Sequence, residues 1–270
     1  KAGSPLHSLA HVKFITTTLY HKPKYNLSCA AEDARKLADA FQQHTGPFFA
    51  EVVSPQVLTD ERATKREILN QLEQLRDKSD LGADDFAIVT FAGHSEKERN
   101  QDLFFLPYDY DPGTGLRNAG LSWYDIAAIL GGMRCPVLVV MDTCHSGEAT
   151  RISALPQSNQ EGAGILVMAA CLTKEKAVED ASWRHGALTL AILEGLTNRR
   201  LVQDKSAVRL PREEKKPRIL FFPDFYAYVT ARVDELTRLR QAVTMNRSGN
   251  LPEGRLPLTV VRAARSAPPG

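Results

Sequence analysis

Residues 137–147 read VLVVMDTCHSG, an apolar run that passes directly into a polar turn containing Cys144. A short apolar run rich in β-branched residues, bounded by turn residues, is typical of a buried strand. The active sites of open α/β sheets lie at the carboxyl ends of the strands, so a thiol in this position is well placed for nucleophilic chemistry. The stretch therefore predicts an α/β fold with Cys144 as a candidate nucleophile.

A second stretch upstream has the same design. Residues 86–92, FAIVTFA, form another buried-strand pattern, which ends in Gly93, His94 and Ser95. If the two strands are neighbours in a parallel sheet, their carboxyl ends bring the imidazole of His94 to the thiol of Cys144. Since an unperturbed thiol is only about a few per cent ionised at neutral pH, a nearby imidazole would increase the supply of thiolate.

The rest of the chain alternates between strand and helix patterns, which predicts a mainly parallel sheet with helices on both faces. Ser122 is expected to cap its helix and Pro223 to open the last one. Gly3, Ser4 and Pro5 break regular structure, so residues 1–11 are interpreted as a linker. The missing initiator Met suggests either a trimmed chain or one domain of a longer protein. Strands are predicted at 12–19, 51–57, 86–92, 103–107, 137–141, 164–170 and 256–261, and helices at 28–44, 63–75, 122–130, 186–196 and 223–240.

Composition restricts the class of protein. A net charge of +2 without a long run of like charges does not indicate nucleic acid or an anionic membrane as a partner. No apolar run is long enough to span a bilayer and no signal-peptide pattern opens the chain, so a cytoplasmic location is expected. Cys29, Cys135, Cys144 and Cys171 lack Cys-x-x-Cys spacing, which disfavours a disulfide scaffold and a structural zinc site, and Cys135 and Cys171 are interpreted as core residues.

The two motifs, Ala92-Gly93-His94 and DTCHSG at 142–147, resemble those of the caspase-like cysteine peptidases in their metacaspase and bacterial (orthocaspase) branch. Animal caspases have the cysteine in a Gln-Ala-Cys-x-Gly context instead. Further segments resemble that family in order: AEDA at 31–34, LFFLP at 103–107, AAC at 169–171, GALTLA at 186–191, FYAYV at 225–229 and LPL at 256–258.

This resemblance, which covers the chain from Val12 to Arg262, implies a caspase-like three-layer α/β/α sandwich with a mainly parallel central sheet. It implies one peptidase domain at 12–264, with a large-subunit-like part at 12–150, a small-subunit-like part at 164–264 and a tail at 265–270.

The resemblance also implies a reaction. In a cysteine endopeptidase of this kind Cys144 attacks the peptide carbonyl, His94 activates the thiol or protonates the leaving amine, and a thioester forms. The backbone amides of Cys144 and Ser95 would stabilise the oxyanion. Because the family usually has glycine at position 95, and a Cβ restricts φ there, an inactive homologue serving as a scaffold or a signalling and interaction module is the alternative. A serine hydrolase is disfavoured, since no Gly-x-Ser-x-Gly elbow is present.

Metacaspases select Arg or Lys before the cleaved bond with an acidic pocket, and its carboxylates match Asp33 and Asp142. Two carboxylates around one guanidinium give charge-assisted, bidentate binding, so the implied partner is a protein or peptide substrate with a basic residue. Trp183 is predicted to wall this pocket, because residues 181–185 resemble the substrate-lining loop. Two other interpretations stay open: Asp142 as a capping residue, and Asp33 as a solvated helix acid.

The remaining polar residues receive other roles. In the turn after Cys144, His145 is interpreted as structural, Ser146 as stabilising the turn and Gly147 as meeting a backbone constraint. No cofactor is expected, although activating calcium is an alternative because acidic residues cluster at Asp102, Asp109 and Asp111, a spacing that lacks a full ligand loop. Basic pairs at 199–200 and 215–216 are solvated loop residues or sites of self-cleavage. Bacterial relatives often carry such a domain beside sensor or repeat modules, so a fused or associated regulatory module is implied.

Overall fold

The structure is a computed structural model, and it describes residues 9–16, 20–27, 29–45, 51–78, 80–83, 85–98, 102–150, 164–172, 177–180, 183–198, 203–204, 218–249, 251 and 257–260. In chain order its elements are β1 (Leu9–Thr16), α1 (Ala30–Thr45), β2 (Glu51–Thr59), α2 (Lys65–Arg76), β3 (Phe86–Gly93), β4 (Ser95–Lys97), β5 (Leu103–Phe105), α3 (Leu116–Ala119), β6 (Leu121–Ser122), α4 (Trp123–Gly131), β7 (Val137–Thr143), β8 (Gly164–Ala169), β9 (Glu179–Asp180), β10 (His185–Gly186), α5 (Ala187–Thr197), β11 (Gln203–Asp204), β12 (Arg218–Phe221), α6 (Phe222–Thr237), β13 (Thr244–Gly249) and β14 (Pro257–Val260).

A six-stranded sheet forms the centre of the fold, with the strand order β2-β1-β3-β7-β8-β13. The first five strands are parallel to one another, and β13 pairs with β8 in the antiparallel direction. Strands β3, β7 and β8 are buried along almost their whole length, as expected for parallel strands that are covered on both faces. The predicted mainly parallel sheet is therefore confirmed.

Helices cover both faces of this sheet. Along β7 the side chains of Leu138 and Val140 belong to a core cluster with α1, α5 and α6, whereas Val137 and Val139 belong to a second cluster with α2 and α4. This alternation follows from the two-residue period of a strand, which directs neighbouring side chains to opposite faces. The result is the three-layer α/β/α sandwich that the sequence predicts.

Local signals set the ends of several elements. The hydroxyl of Ser122 accepts a hydrogen bond from the Tyr124 N–H at 3.1 Å, which confirms it as the cap of α4. Helix α6 ends at Thr237, before the predicted end at residue 240, because Arg238 and Leu239 adopt left-handed φ angles of 52° and 61°. The predicted strand at 103–107 is the shorter β5, which ends at Phe105.

Strand β1 begins at Leu9, so the last three residues of the predicted linker belong to the sheet. The linker was predicted from the structure-breaking residues at 3–5. In the structure, β1 pairs with β2 on one side and with β3 on the other, and this pairing includes residues that the prediction gave to the linker. Residues 1–8 and the predicted tail at 265–270 lie outside the described residues. Within the described ranges, no helix combines the length and the apolar character needed to cross a bilayer.

Two features outside the main sheet position the site. Strands β4, β5 and β6 form a small antiparallel sheet directly after β3. Strands β9 and β10 form a short antiparallel pair, and β10 leads directly into α5. Both features lie at the carboxyl end of the parallel strands, where the candidate residues are.

Candidate active site

The register of β3 and β7 brings the candidate histidine and cysteine together. Gly93 pairs with Thr143, so His94 and Cys144 are the next residues of two neighbouring parallel strands. Both residues line one cavity of about 220 Å³, which Asp33 and Asp142 also line. Four of the residues predicted from the sequence therefore surround the same cavity.

His94 is held from both sides. Its Nε2 lies 2.8 Å from the backbone carbonyl of Tyr25, and since a carbonyl can only accept, Nε2 carries the proton. The neutral imidazole then presents Nδ1 as its proton acceptor. The His94 N–H donates to the hydroxyl of Tyr20 at 2.8 Å, and the rings of Tyr20 and Tyr25 lie 5.3 and 6.1 Å from the imidazole. These contacts fix both the tautomer and the orientation of the ring.

Gly93, at the end of β3, is required by its backbone conformation. Its φ of 148° lies in a region that residues with a Cβ rarely adopt. This angle turns the chain out of the sheet immediately before His94. Glycine at position 93 thus sets the direction in which the imidazole leaves the strand.

The turn that carries Cys144 is tied to the end of β8. The Ser146 hydroxyl is buried and accepts a hydrogen bond from the N–H of Cys171 at 3.3 Å, which supports its predicted role in the turn. The left-handed residue is His145, with a φ of 56°, and Gly147 does not have a positive φ. The backbone constraint predicted for Gly147 therefore lies at His145, a residue type that tolerates this region better than most.

Two of the other described thiols, those of Cys135 and Cys171, differ from Cys144 in exposure. Cys144 is half-buried at the cavity, whereas Cys135 and Cys171 are fully buried. Burial raises the pKa of Cys135 to about 12 and also raises that of Cys171, because an apolar environment disfavours the thiolate. Both are core residues, as predicted, and their ionisation at neutral pH is disfavoured.

The side chain of Ser95 contacts the end of β7 and the turn that carries Cys144. Its hydroxyl donates to the carbonyl of Cys144 and lies 2.9 Å from the hydroxyl of Thr143, and only 4% of the residue is exposed. The Leu106 N–H donates to the His94 carbonyl at 2.9 Å, which makes Ser95 and Phe105 a non-hydrogen-bonded antiparallel pair. In such a pair the Ser95 N–H points away from β5, so the ladder leaves it available to another acceptor.

The two acidic residues converge on Gly186. Asp33 is only 3% exposed and accepts the N–H of Gly186 at 2.9 Å through Oδ2, while its Oδ1 pairs with Nδ1 of His185. Asp142 accepts the hydroxyl of Thr189 at 3.0 Å. A Cβ on Gly186 would lie 3.0 Å from Asp142 Oδ2 and 3.6 Å from Asp33 Oδ2. The carboxylates therefore flank one residue at the cavity wall, and Asp33 is not a solvated helix acid.

Burial also affects the ionisation of Asp33. Loss of hydration raises the pKa of its carboxyl group, and this effect outweighs the opposing hydrogen bonds from Gly186 and His185. Burial therefore disfavours the ionised form of Asp33. A positive charge nearby would stabilise the ionised form of such a buried carboxyl group, because opposite charges attract.

Trp183 lies elsewhere. It is half-buried and packs against the core cluster that contains α1, α5 and α6. Among the described residues that line the cavity, Trp183 is absent. The structure therefore does not bring it to the pocket that it was predicted to wall.

Several site residues were not predicted from the sequence. His185 and Thr189 bind the two carboxylates, and their only signal was their place in or beside the segment at 186–191 that resembles the family. Tyr20 and Tyr25 hold His94 from positions 74 and 69 residues upstream. The hydrogen bond from Tyr25 comes from its backbone carbonyl, which any residue type would supply, so this bond gave no signal in the sequence.

The acidic residues considered for calcium have partners within the fold. Across the described residues, no group of three or more His, Cys, Asp and Glu side chains could hold a metal ion. Asp109 accepts the Lys65 N–H at 2.9 Å, Asp111 pairs with Lys22 at 2.5 Å, and Asp102 lies 3.4 Å from Arg117. The basic pairs at 199–200 and 215–216 fall outside the described residues.

Comparison with known proteins identifies the family. The sequence pattern of the caspase domain matches residues 13–213. No curated protein matches the chain. Among solved structures, the crystal structure of protein GSU0716 from Geobacter sulfurreducens is similar with a TM-score of 0.63 and 16% identity, over 94% of this chain and 99% of that chain, which shows a shared fold. On the evidence of the family match, the chain belongs to the caspase-domain family of cysteine peptidases.

Proposed function

We propose that the protein is a metacaspase-type endopeptidase that cleaves after Arg or Lys, with Cys144 and His94 as its catalytic dyad. The observation that carries the proposal is the shared cavity, which has a thiol and an imidazole on paired strand ends and two carboxylates beside Gly186. A nucleophile and a cation-binding pocket are the two parts that such specificity needs.

The chemistry begins with the thiol. Nδ1 of His94 accepts the proton of Cys144, and the thiolate attacks the carbonyl carbon of the substrate. The tetrahedral oxyanion would be stabilised by the backbone N–H groups of Ser95 and Cys144. When it collapses, the C–N bond breaks and His94 protonates the leaving amine, which leaves a thioester on Cys144. Water then adds to the thioester, the acid product departs, and the thiol is restored.

Specificity would come from charge. A guanidinium or ammonium group placed between Asp33 and Asp142 gains two charge-assisted interactions in a site that is largely shielded from water. An aspartate side chain in the same place would meet two like charges. At protein interfaces, repulsion of this kind costs on the order of several kcal/mol of binding free energy. We therefore expect cleavage after Arg or Lys and not after Asp.

The test is hydrolysis of three fluorogenic peptides that differ only in having Arg, Lys or Asp before the reporter group. The intact chain is compared with Cys144→Ala and with a matched control, Cys29→Ala, whose thiol does not line the cavity. We expect turnover of the Arg and Lys peptides that is lost in Cys144→Ala and kept in Cys29→Ala. Turnover of the Asp peptide would overturn the specificity, and no turnover of any peptide would favour the inactive scaffold.

No cofactor is part of this proposal, because the thiol and the imidazole supply the nucleophile and the proton transfers. The same assay with added calcium and with a chelator tests the alternative of calcium activation. We also propose a single peptidase domain at 12–264, with parts at 12–150 and 164–264, that acts on protein substrates beside a fused or associated regulatory module.

A further inference from the structure

An ion pair joins the two chain segments that follow the candidate dyad. Lys97, at the end of β4, lies three residues after His94, and Glu148 lies four residues after Cys144. The Nζ atom of Lys97 is 3.4 Å from Oε1 of Glu148. The pair therefore connects the segment after the imidazole to the turn that carries the thiol.

Strand β4 directs Lys97 towards this turn together with Ser95. Because the two residues are two positions apart on a strand, their side chains leave the same face of β4. Glu96, between them, is exposed to solvent. The Ser95 hydroxyl donates to the carbonyl of Cys144. One face of β4 thus contacts the turn through two successive side chains.

Glu148 is buried within the turn. Only 1% of its side chain is exposed, compared with 24% of the Lys97 side chain. Its N–H donates to the carbonyl of His145 at 3.0 Å. His145 has a φ of 56°, a left-handed conformation that is uncommon for a residue with a Cβ and that persists where surrounding contacts impose it. The contacts of Glu148 therefore act on the residue next to the candidate nucleophile.

The burial of this pair is not explained by stability alone. Removing two charges from water costs free energy that their attraction offsets only in part, so an apolar pair of similar volume often stabilises a fold equally well or better. The position of the pair, between the segments that carry His94 and Cys144, favours a role in their geometry.

Resting on the proposed function, we propose that Lys97 and Glu148 are positioning residues that hold the thiol of Cys144 where His94 can accept its proton. Among the described residues that line the cavity, neither Lys97 nor Glu148 is present, so the pair would act through the two segments and not by touching the substrate. General-base assistance contributes about a hundredfold or more to a rate when it is complete. Partial misalignment of the thiol is therefore expected to slow its reactions about tenfold.

The experiment measures how fast iodoacetamide alkylates each thiol at one fixed pH, with peptide mass spectrometry to follow the cysteines separately. The test variant is Lys97→Met/Glu148→Leu, which replaces the pair by apolar side chains and leaves no unpaired buried charge. Lys97→Arg keeps the positive charge and is the conservative variant. The control is Lys78→Met/Asp80→Leu, which removes a lysine–carboxylate pair of 3.5 Å at the surface.

We expect Cys144 to be alkylated about tenfold more slowly in the apolar double variant, and at close to the parent rate in Lys97→Arg and in the surface control. The buried thiols of Cys135 and Cys171 report on folding, because they react only when the structure opens. An unchanged rate at Cys144 in the folded double variant would overturn the inference. A faster rate would also overturn it, since the pair would then cover the thiol and not orient it.

A second variant tests the inference if the double variant does not fold. Glu148→Gln keeps the length of the side chain and an acceptor for Lys97, but it removes the charge that strengthens their interaction. We expect a smaller decrease in the rate of alkylation at Cys144, and a rate equal to that of the parent protein would contradict the inference.

Failure of the proposed peptidase function gives a different result, because alkylation does not require turnover of a peptide. In an active chain, the double variant should lower kcat and leave KM unchanged, since the pair does not line the cavity. A chain that cleaves no peptide but shows the slower alkylation would contradict the peptidase and support the positioning pair. An active chain with unchanged alkylation would do the reverse.

Discussion

At the scale of single residues, Ser95 follows the candidate histidine at a position where the resemblance to metacaspases predicts glycine. Its hydroxyl donates to the carbonyl of Cys144, the residue that carries the nucleophile. Replacing Ser95 by Ala removes one buried hydrogen bond, worth about 0.5–1.5 kcal/mol. We expect Ser95→Ala to slow alkylation of Cys144 by iodoacetamide about two- to tenfold at fixed pH.

The matched control for this prediction is Thr150→Ala, which also removes a hydroxyl that bonds a backbone carbonyl, at Gly147 in the same turn. It should affect stability without an equal effect on the alkylation rate, because Thr150 does not contact the carbonyl of Cys144. If both variants are alkylated at the rate of the parent protein, Ser95 does not orient the nucleophile.

A second prediction concerns the charge of Asp33. Burial raises the pKa of this carboxyl group in the folded chain above its unfolded value, so the folded state holds the proton more tightly. Between the two pKa values the folded chain binds more protons than the unfolded chain, and the contribution to stability therefore falls as pH rises. Relative to the parent, Asp33→Asn should gain stability at pH about 7 compared with pH about 4.

Urea unfolding of both proteins at the two pH values measures this difference. Asp109→Asn is the control, because Asp109 accepts a hydrogen bond at the exposed surface. The stability difference between Asp33→Asn and the parent should therefore change with pH in the stated direction. If it does not change, or changes in the opposite direction, burial does not dominate the ionisation of Asp33. Asp33→Asn should also abolish the preference for peptides with Arg over peptides with an uncharged residue before the cleaved bond. The buried acid would then lower the stability of the fold while serving substrate binding.

At the scale of elements, the end of β3 depends on the left-handed glycine before His94. A residue with a Cβ at position 93 would have to adopt a φ of 148°, which costs on the order of 1–3 kcal/mol. Gly93→Ala is therefore expected to lower the midpoint of urea unfolding and to misdirect His94, with loss of peptidase activity. In the control Gly82→Ala, the added Cβ would lie 3.7 Å from its nearest contact, Asp85 Oδ2, and little change is expected. Equal behaviour of the two variants would contradict the role of Gly93.

The long elements could be predicted from the sequence because their signals are local. Buried runs such as residues 86–92 and 137–141 predicted β3 and β7, and polar residues after each run predicted the dyad at one sheet edge. The β9-β10 pair and β11 were not predicted, since two-residue strands have no periodicity and depend on distant partners. For the same reason the sequence did not indicate that His185 would pair with Asp33, 152 residues away.

At the scale of the whole molecule, the proposed substrate joins parts of the fold that are distant in sequence. A peptide aldehyde ending in arginine would add reversibly to Cys144 after β7 while its guanidinium binds Asp33 on α1, a helix that also packs on α5. A ligand present at about 100 times its Kd stabilises the folded state by about 2.7 kcal/mol. For a chain of this size that amounts to a rise in Tm of about 5–10 °C.

The corresponding aldehyde ending in aspartate should leave the Tm nearly unchanged, because the acidic pocket repels its side chain even though its aldehyde could still reach Cys144. The two halves of the site can then be separated: the Cys144→Ala protein should lose the covalent part of the arginine effect, and Asp142→Asn should lose the part that depends on charge. If the arginine and aspartate aldehydes raise the Tm equally, the two carboxylates do not select the substrate. A shift that survives in Cys144→Ala but vanishes in Asp142→Asn would instead show a cation site that works without the thiol.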